Sequence, residues 1–230
     1  MESRIDQTWA TNYDNKVSFD EWMEHVHADQ WLALIERMQE QDLTDKVVLD
    51  FGCNRGISLR LLYSQRPFVH GYGVDLDAEA IRIAKESQGE LPLTYEVRDN
   101  IEHLEGIIDI AFSHEVLYLL KELDQHAQEM FNALKADGVY YVALGTYSDN
   151  PIWQQLKESF AKQIGIEPQD YSLYQIAEVF ERQGFDVQLR KFKYDNFLPM
   201  KYFKEDIGGF PILEALDYYS EYKILFRFTK

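Results

Sequence analysis

Apolar and polar positions alternate between two periods along this chain. Short apolar runs of strand length stand at Val47–Phe51, Gly71–Asp75, Leu93–Val97, Ile107–Ser113 and Val139–Leu144. Between them, helical spacing of apolar residues appears near Ile57–Ser64, Ala78–Ser87 and Lys121–Leu134. Strand and helix in strict alternation predict βαβ units, with a parallel sheet, right-handed crossovers and helices on the sheet faces.

The flanks add to this frame. Ser18 and Glu21 have capping-box spacing, and Val17 and Trp22 suit a hydrophobic staple, which predicts a helix from about Phe19 to Gln41. Trp31, Leu32, Ile35 and Met38 give that helix an apolar stripe. Downstream, Asn150 before Pro151 reads as an N-cap with proline at the first helical position of a helix reaching about Gln163. A further helix is expected from Ser172, with Gln175 in capping-box register, to Gly184. Strands are expected at Asp186–Lys193 and Tyr222–Phe228, enclosing an aromatic stretch, Tyr194–Glu221, too long for a turn. The total is seven strands.

Composition narrows the class. A length of 230 residues suits one α/β domain with appendages. No run of about 18 apolar residues could cross a bilayer as a helix. The opening MESRIDQTWATNYD lacks the basic-then-apolar order of an export signal. Cys53 is the only cysteine, which excludes an internal disulfide and a C-x-x-C site, so a reducing, cytoplasmic setting is expected. Forty acidic against 23 basic residues give a formal charge of −17, which disfavours a nucleic-acid partner.

The candidate chemistry begins at Asp50-Phe51-Gly52-Cys53-Asn54-Arg55-Gly56, a glycine-bearing turn between a strand and a helix. Such a turn brings backbone N–H groups to the carboxyl edge of the sheet, where ligands of open α/β sheets bind. A dinucleotide fingerprint counted from Gly52 would need glycines where Asn54 and Ile57 stand, and a P-loop would need a Gly-Lys-Ser/Thr ending that is absent. Asp75 ends the second strand 23 residues after Gly52, at a spacing suited to a carboxylate on ribose hydroxyls. A plain βα turn, with Asp77 capping the next helix, is the alternative.

These elements resemble the class I methyltransferases, whose first motif runs acidic-x-Gly-x-Gly-x-Gly. Asp50, Gly52 and Gly56 match it, and Asn54 replaces the middle glycine, a residue that tolerates left-handed backbone. The resemblance extends over about residues 47–145, with Asp109–Leu120 similar to the family's fourth strand and loop, and Ala133-Leu-Lys-Ala-Asp-Gly138 similar to its Leu-Lys-Pro-Gly-Gly turn. It implies a Rossmann-like, mostly parallel seven-stranded sheet with helices on both faces and an antiparallel C-terminal strand. It also implies S-adenosyl-L-methionine as cofactor, with Asp75 on the ribose, Asp99 at the adenine amino group and Ser113 among the contacts to the methionine part. Its division would be a helical cap over 1–46, a cofactor-binding core over 47–145 and a substrate-side part over 146–230 containing the insertion 194–221.

His114 and Glu115, at the carboxyl end of the fourth strand, are the candidate catalytic residues, because a hydroxyl or ammonium acceptor must lose a proton before it can be methylated. His25 and His27 lie two apart and form no metal pair, so no metal is expected, though one of them reaches the site if its helix covers it. Trp9, Tyr13, the turn Tyr147–Asn150, Trp153, Tyr202, Phe203, Phe210, Tyr218 and Tyr219 are candidate substrate contacts, or simply packing for the insertion. The expected function is methylation of an unidentified, small-molecule acceptor. The alternatives are a cofactor-binding protein without catalysis and a nicotinamide-dependent reductase.

Overall fold

The computed structural model describes residues 27–165, 167–193, 197 and 211–230. The Ser18–Glu21 cap, the Val17–Trp22 staple, Trp9, Tyr13, His25, Tyr202, Phe203 and Phe210 lie outside the described residues. In chain order the elements are α1 (27–37), β1 (Val47–Phe51), α2 (Ile57–Gln65), β2 (His70–Asp75), α3 (Ala78–Ser87), β3 (Leu93–Val97) and β4 (Ile108–His114). They continue as α4 (Leu123–Ala133), β5 (Leu134–Leu144), α5 (Trp153–Ile164), α6 (Leu173–Arg182), β6 (Asp186–Lys191), α7 (Ile212–Ser220) and β7 (Ile224–Thr229).

The strands form one sheet in the order β3-β2-β1-β4-β5-β7-β6. Pairings are parallel from β3 through β5, and β7 runs antiparallel to both its neighbours. This is the Rossmann-like sheet implied by the sequence resemblance, closed by one antiparallel C-terminal strand. From β1 the chain builds outward one way to β3 and then returns to β4 on the other side. The carboxyl ends of β1 and β4 therefore flank the topological switch point, where such sheets bind ligands.

Burial follows from residue type. β1, β4 and the Val139–Leu144 part of β5 are almost wholly buried because both faces are covered. Alternation sends Tyr140 toward His126 of α4 and Phe180 of α6, while the hydroxyl of Tyr141 meets Gln39 N–H and Glu40 beyond α1. Helical segments thus cover both faces. The centre of the α6 side is aromatic: the ring of Phe228 stacks on Phe180 at 3.9 Å, with Phe226 at 5.2 Å and Tyr140 at 5.8 Å. β6 lies at the sheet margin, largely exposed, with Gln188, Arg190 and Lys191 guarding the open edge.

Three local expectations are corrected. The first helix ends at residue 37, not near Gln41, and Met38 N–H closes its last turn on Leu34 and Ile35. β5 begins at Leu134, because buried Leu134 pairs with Ile108 and the extra residues are absorbed by a register shift in which Asp137 (φ 63°) takes the left-handed conformation. α5 begins at Trp153: buried Asn150 accepts from Ile152 N–H and donates to the Gly145 carbonyl, so Asn150 and Pro151 form the turn before the helix. The Ser172–Gln175 capping box of α6 forms as read, with Gly184 (φ 102°) just past its end.

Phe228→Ala should destabilise the fold by about 3–5 kcal/mol, the range for emptying a fully packed aromatic site. Urea unfolding monitored by circular dichroism checks this, with a lowered midpoint and an unchanged slope expected.

Candidate functional site

The site begins where β1 stops. Gly52 (φ 78°), Asn54 (φ 46°) and Gly56 (φ 70°) all take left-handed backbone, so the chain reverses into α2 within five residues. Asn54 is the non-glycine residue able to do this here, and its side-chain oxygen accepts from Arg55 N–H at 2.7 Å. Space forbids a methyl group at either glycine. A Cβ on Gly52 would stand 2.5 Å from Val116, and one on Gly56 would stand 2.4 Å from the Tyr95 ring. Tyr95, buried on β3, donates its hydroxyl to the Gly56 carbonyl at 3.0 Å.

Four strand ends meet at this turn. Gly52 and Cys53 donate to the Val74 carbonyl, and Asn54 N–H donates to Asp75 Oδ2 at 2.8 Å. Asp75 Oδ1 accepts from Asp77 N–H at 2.9 Å, and Asp77 in turn caps α3 through Glu79 N–H. The two aspartates of GVDLD thus divide their roles: Asp77 caps, and Asp75 is held at the sheet edge against the turn. Asp99 follows β3 at the same edge, where its carboxylate accepts from the Asn100 side chain.

Asp50 lies beneath the turn, 3% exposed, and accepts a hydrogen bond from the Ser58 hydroxyl at the start of α2. Burial pushes its carboxyl up to about 7, against the Ser58 hydrogen bond and helped by the charge of Asp75. Ser113 is fully buried, and its hydroxyl pairs with Tyr140, which also meets His126. Its side chain is spent inside the sheet, which leaves the main chain as its means of contacting a ligand.

The carboxyl end of β4 carries the candidate chemical groups. His114 packs edge-on against His27 of α1 at 4.7 Å, with Trp31 at 6.4 Å. Its Nε2 is buried, with no hydrogen-bond partner among the described residues. Burial first, then the charge of Lys223, then His27 hold the His114 imidazole well below its usual value; burial and Lys223 bring His27 to about 3. Both rings are neutral at physiological pH. Glu115 takes left-handed backbone (φ 56°), with its N–H on the Ala143 carbonyl. Its carboxylate accepts from the ammonium of Lys223 at 2.6 Å and the hydroxyl of Tyr218 at 3.4 Å.

Asp50, Gly52, Asn54, Gly56 and Asp75 therefore form one cluster, with His114 and Glu115 beside it through Val116. Tyr95, Gln30 and Lys223 were not singled out from sequence. Only the burial of Tyr95 against Gly56 and Gly73, and side-chain hydrogen bonds from Lys223 that span 108 residues to Glu115 and 193 to Gln30, bring them in. Tyr147 and Trp153 pack against each other and Tyr118, as structural rings would. Among the described residues no cluster of His, Cys, Asp or Glu could hold a metal, and no helix is long and apolar enough to cross a membrane.

Two outcomes follow for the turn. Gly56→Ala and Gly89→Ala both place alanine at positive φ, but nothing lies within 4 Å of a Cβ at Gly89. Both should lose about 1–2 kcal/mol for the backbone, and Gly56→Ala should lose about 1–3 kcal/mol more for the clash with Tyr95, measured by chemical denaturation. For Asp50, the folded carboxyl keeps its proton up to about 7, whereas an unfolded aspartate loses it near about pH 4. The folded chain then binds more protons across that window, so this group's contribution to stability falls as pH rises through it. Asp50→Asn, which retains an acceptor for Ser58, should gain stability relative to the wild type from about pH 4 to about pH 7; urea midpoints across that range test it.

Residues 19–189 match the family model described as a methyltransferase domain. A stretch of 113 residues is 30% identical to the trans-aconitate 2-methyltransferase of Rhodopseudomonas palustris, covering 48% of this chain and 43% of that protein. The chain thus spans less than half the length of this relative. In fold, a chain in the complex between the Haloferax volcanii Trm112 methyltransferase activator and a methyltransferase superposes with a TM-score of 0.79 at 21% identity, over 98% of both chains. The Haemonchus contortus phosphoethanolamine N-methyltransferase 2, solved with phosphomonomethylethanolamine and S-adenosylhomocysteine, gives a TM-score of 0.73 at 19% identity, over all of this chain and 61% of the other. With the glycine turn, Asp75 at the sheet edge and the seven-stranded sheet in place, the chain belongs to the methyltransferase domain family, the Rossmann-like class whose cofactor is S-adenosylmethionine.

Proposed function

We propose that this chain transfers the methyl group of S-adenosylmethionine to a small molecule at the carboxyl ends of β4 and β5. The observation that carries this reading is the cover over that edge. His27, Gln30 and Trp31 reach it from α1, and Tyr218 reaches it from α7, all against His114, Glu115 or Lys223. A polymer would have to displace both helices, and the charge of −17 opposes a nucleic acid in particular. A small acceptor held there is shielded from water.

When bound, the cofactor supplies a methyl group on a positively charged sulfur. In this reading the main chain of Gly52, Asn54 and Gly56 cradles it, Asp75 accepts from the ribose hydroxyls, Asp99 meets the adenine amino group, and Ser113 contributes its main chain. Asp50 braces the turn through Ser58. Glu115 takes the acceptor's proton, and neutral His114 hydrogen-bonds the acceptor through Nε2. The cap spans 1–46, the cofactor core 47–145 and the substrate-side part 146–230. Aligning the reactants contributes about 7–11 kcal/mol to such a reaction, so a single base is enough.

S-adenosylmethionine and its demethylated product should each raise the melting temperature. Asp75→Ala should weaken both by about 10- to 100-fold, the worth of paired charge-assisted hydrogen bonds. A tritiated methyl donor incubated with cell extract, followed by size separation, should label the low-mass fraction. Label on protein or RNA alone would exclude the small-molecule reading, and binding without transfer would favour a cofactor-binding protein that does no chemistry.

A further inference from the structure

Lys223 stands immediately before β7, whose first residue pairs with Leu144, so it lies at the same edge as His114 and Glu115. Its side chain is 2% exposed. The ammonium donates to Glu115 Oε1 and, at 2.8 Å, to Gln30 Oε1 of α1. The rings of Tyr218 and Tyr219 lie 5.4 and 5.8 Å from it.

Removing an ammonium and a carboxylate from water costs several kcal/mol for each ion, and well-packed apolar residues often stabilise a fold as much as the pair does. Stability alone does not account for these two residues. An apolar pair could not, however, fix a carboxylate in one orientation. Every hydrogen bond to the Glu115 side chain among the described residues falls on Oε1, and Oε2 receives none. The backbone is fixed as well, through the Ala143 carbonyl on one side and the packing of Val116 over Gly52 on the other.

We propose that Lys223 is a positioning residue for methyl transfer: it anchors Glu115 by Oε1 and so leaves Oε2 to take the proton of an acceptor that is a hydroxyl or a protonated amine. This rests on the functional reading above. The acceptor's O–H or N–H bond breaks, the proton bonds to Oε2, and the electron pair stays on oxygen or nitrogen as the nucleophile. Lys223 also faces His114 from β4 and His27 from α1, with Tyr218 and Tyr219 from α7 beside it and Tyr118 and Tyr147 near enough to feel the charge of Glu115. Its charge adds to burial in keeping both imidazoles unprotonated, and rings so reluctant to accept a proton leave that role to Glu115.

The test uses the full chain, a tritiated methyl donor and the low-mass fraction of a cell extract as acceptor source. K223M should bind S-adenosylmethionine within about threefold of the wild type and transfer at least about tenfold more slowly at neutral pH, with the deficit shrinking toward about pH 9.5 as the acceptor loses its proton to water. K223R, which keeps the charge, should recover part of the rate. An unchanged rate, or a deficit equal at every pH, would overturn the proposal, since a merely structural lysine gives no pH signature. If the unpaired Glu115 unfolds K223M, the double variant K223M/E115Q is compared with E115Q: equal rates support the coupling, and a further tenfold loss refutes it. A wild type that labels nothing refutes the functional reading itself, and this proposal with it.

Discussion

Two missing methyl groups hold the site together. Because Gly52 and Gly56 have no Cβ, Val116 can close over the first and Tyr95 can pass under the second. Those contacts join the carboxyl ends of β1, β3 and β4, and the hydrogen bonds from the turn to Val74 and Asp75 add β2. The position of Glu115 is thereby linked to the glycine turn through one intervening residue, Val116. The bare glycine backbone that leaves room for close approach also sets the depth of the loop that carries His114 and Glu115. The two halves of the site are mechanically one object, although nearly sixty residues separate them in sequence.

How much of this could be read in advance depended on whether the signal was local. β1, α3 and β3 occupy the stretches that periodicity assigned to them, because their apolar positions recur at each element's own period and are bounded by turn residues. The role of Asn54 was legible too, since few other side chains tolerate φ near 46°. Local signal misled where a tertiary contact outweighed it. Asn150 and Pro151 look like a helix start, yet the reach of Asn150 to Gly145 turns them into the loop before α5. Leu134 looks helical, but pairing with Ile108 draws it into β5. Ser113 shows nothing in sequence of its commitment to Tyr140 on the neighbouring strand.

Lys223 was illegible for a different reason. Between Tyr222 and Ile224 it reads as a charge at the start of a strand, where lysines commonly snorkel to solvent. Its burial arises because β7 inserts antiparallel between β5 and β6 and delivers its first turn to the carboxyl edge, while α1 arrives over the same spot from the other end of the chain. His27 is the intermediate case. The stripe at Trp31 and Ile35 predicts a packed helix, and two-residue spacing turns His25 and His27 in different directions, so that one of them reaches the site if the helix covers it. The structure brings His27 to His114.

Conformational cost is concentrated at this same edge. Glu115, Thr146 and Tyr147 are non-glycine residues in left-handed backbone, and the buried Thr146 hydroxyl has no hydrogen-bond partner among the described residues. Such conformations cost of order 1–3 kcal/mol each and persist only where the surroundings over-determine them. Here the surroundings include the packed rings of Tyr118, Tyr147 and Trp153 and the buried carboxyl ends of β4 and β5. A buried carboxyl under the turn, a buried ion pair beside it and neutral histidines between them would each be poor choices for a scaffold that only had to be stable. Together they hold an ammonium, a carboxylate and two uncharged imidazoles in fixed register out of water, a cost to folding that proton removal beside a methyl donor would account for under the function proposed above.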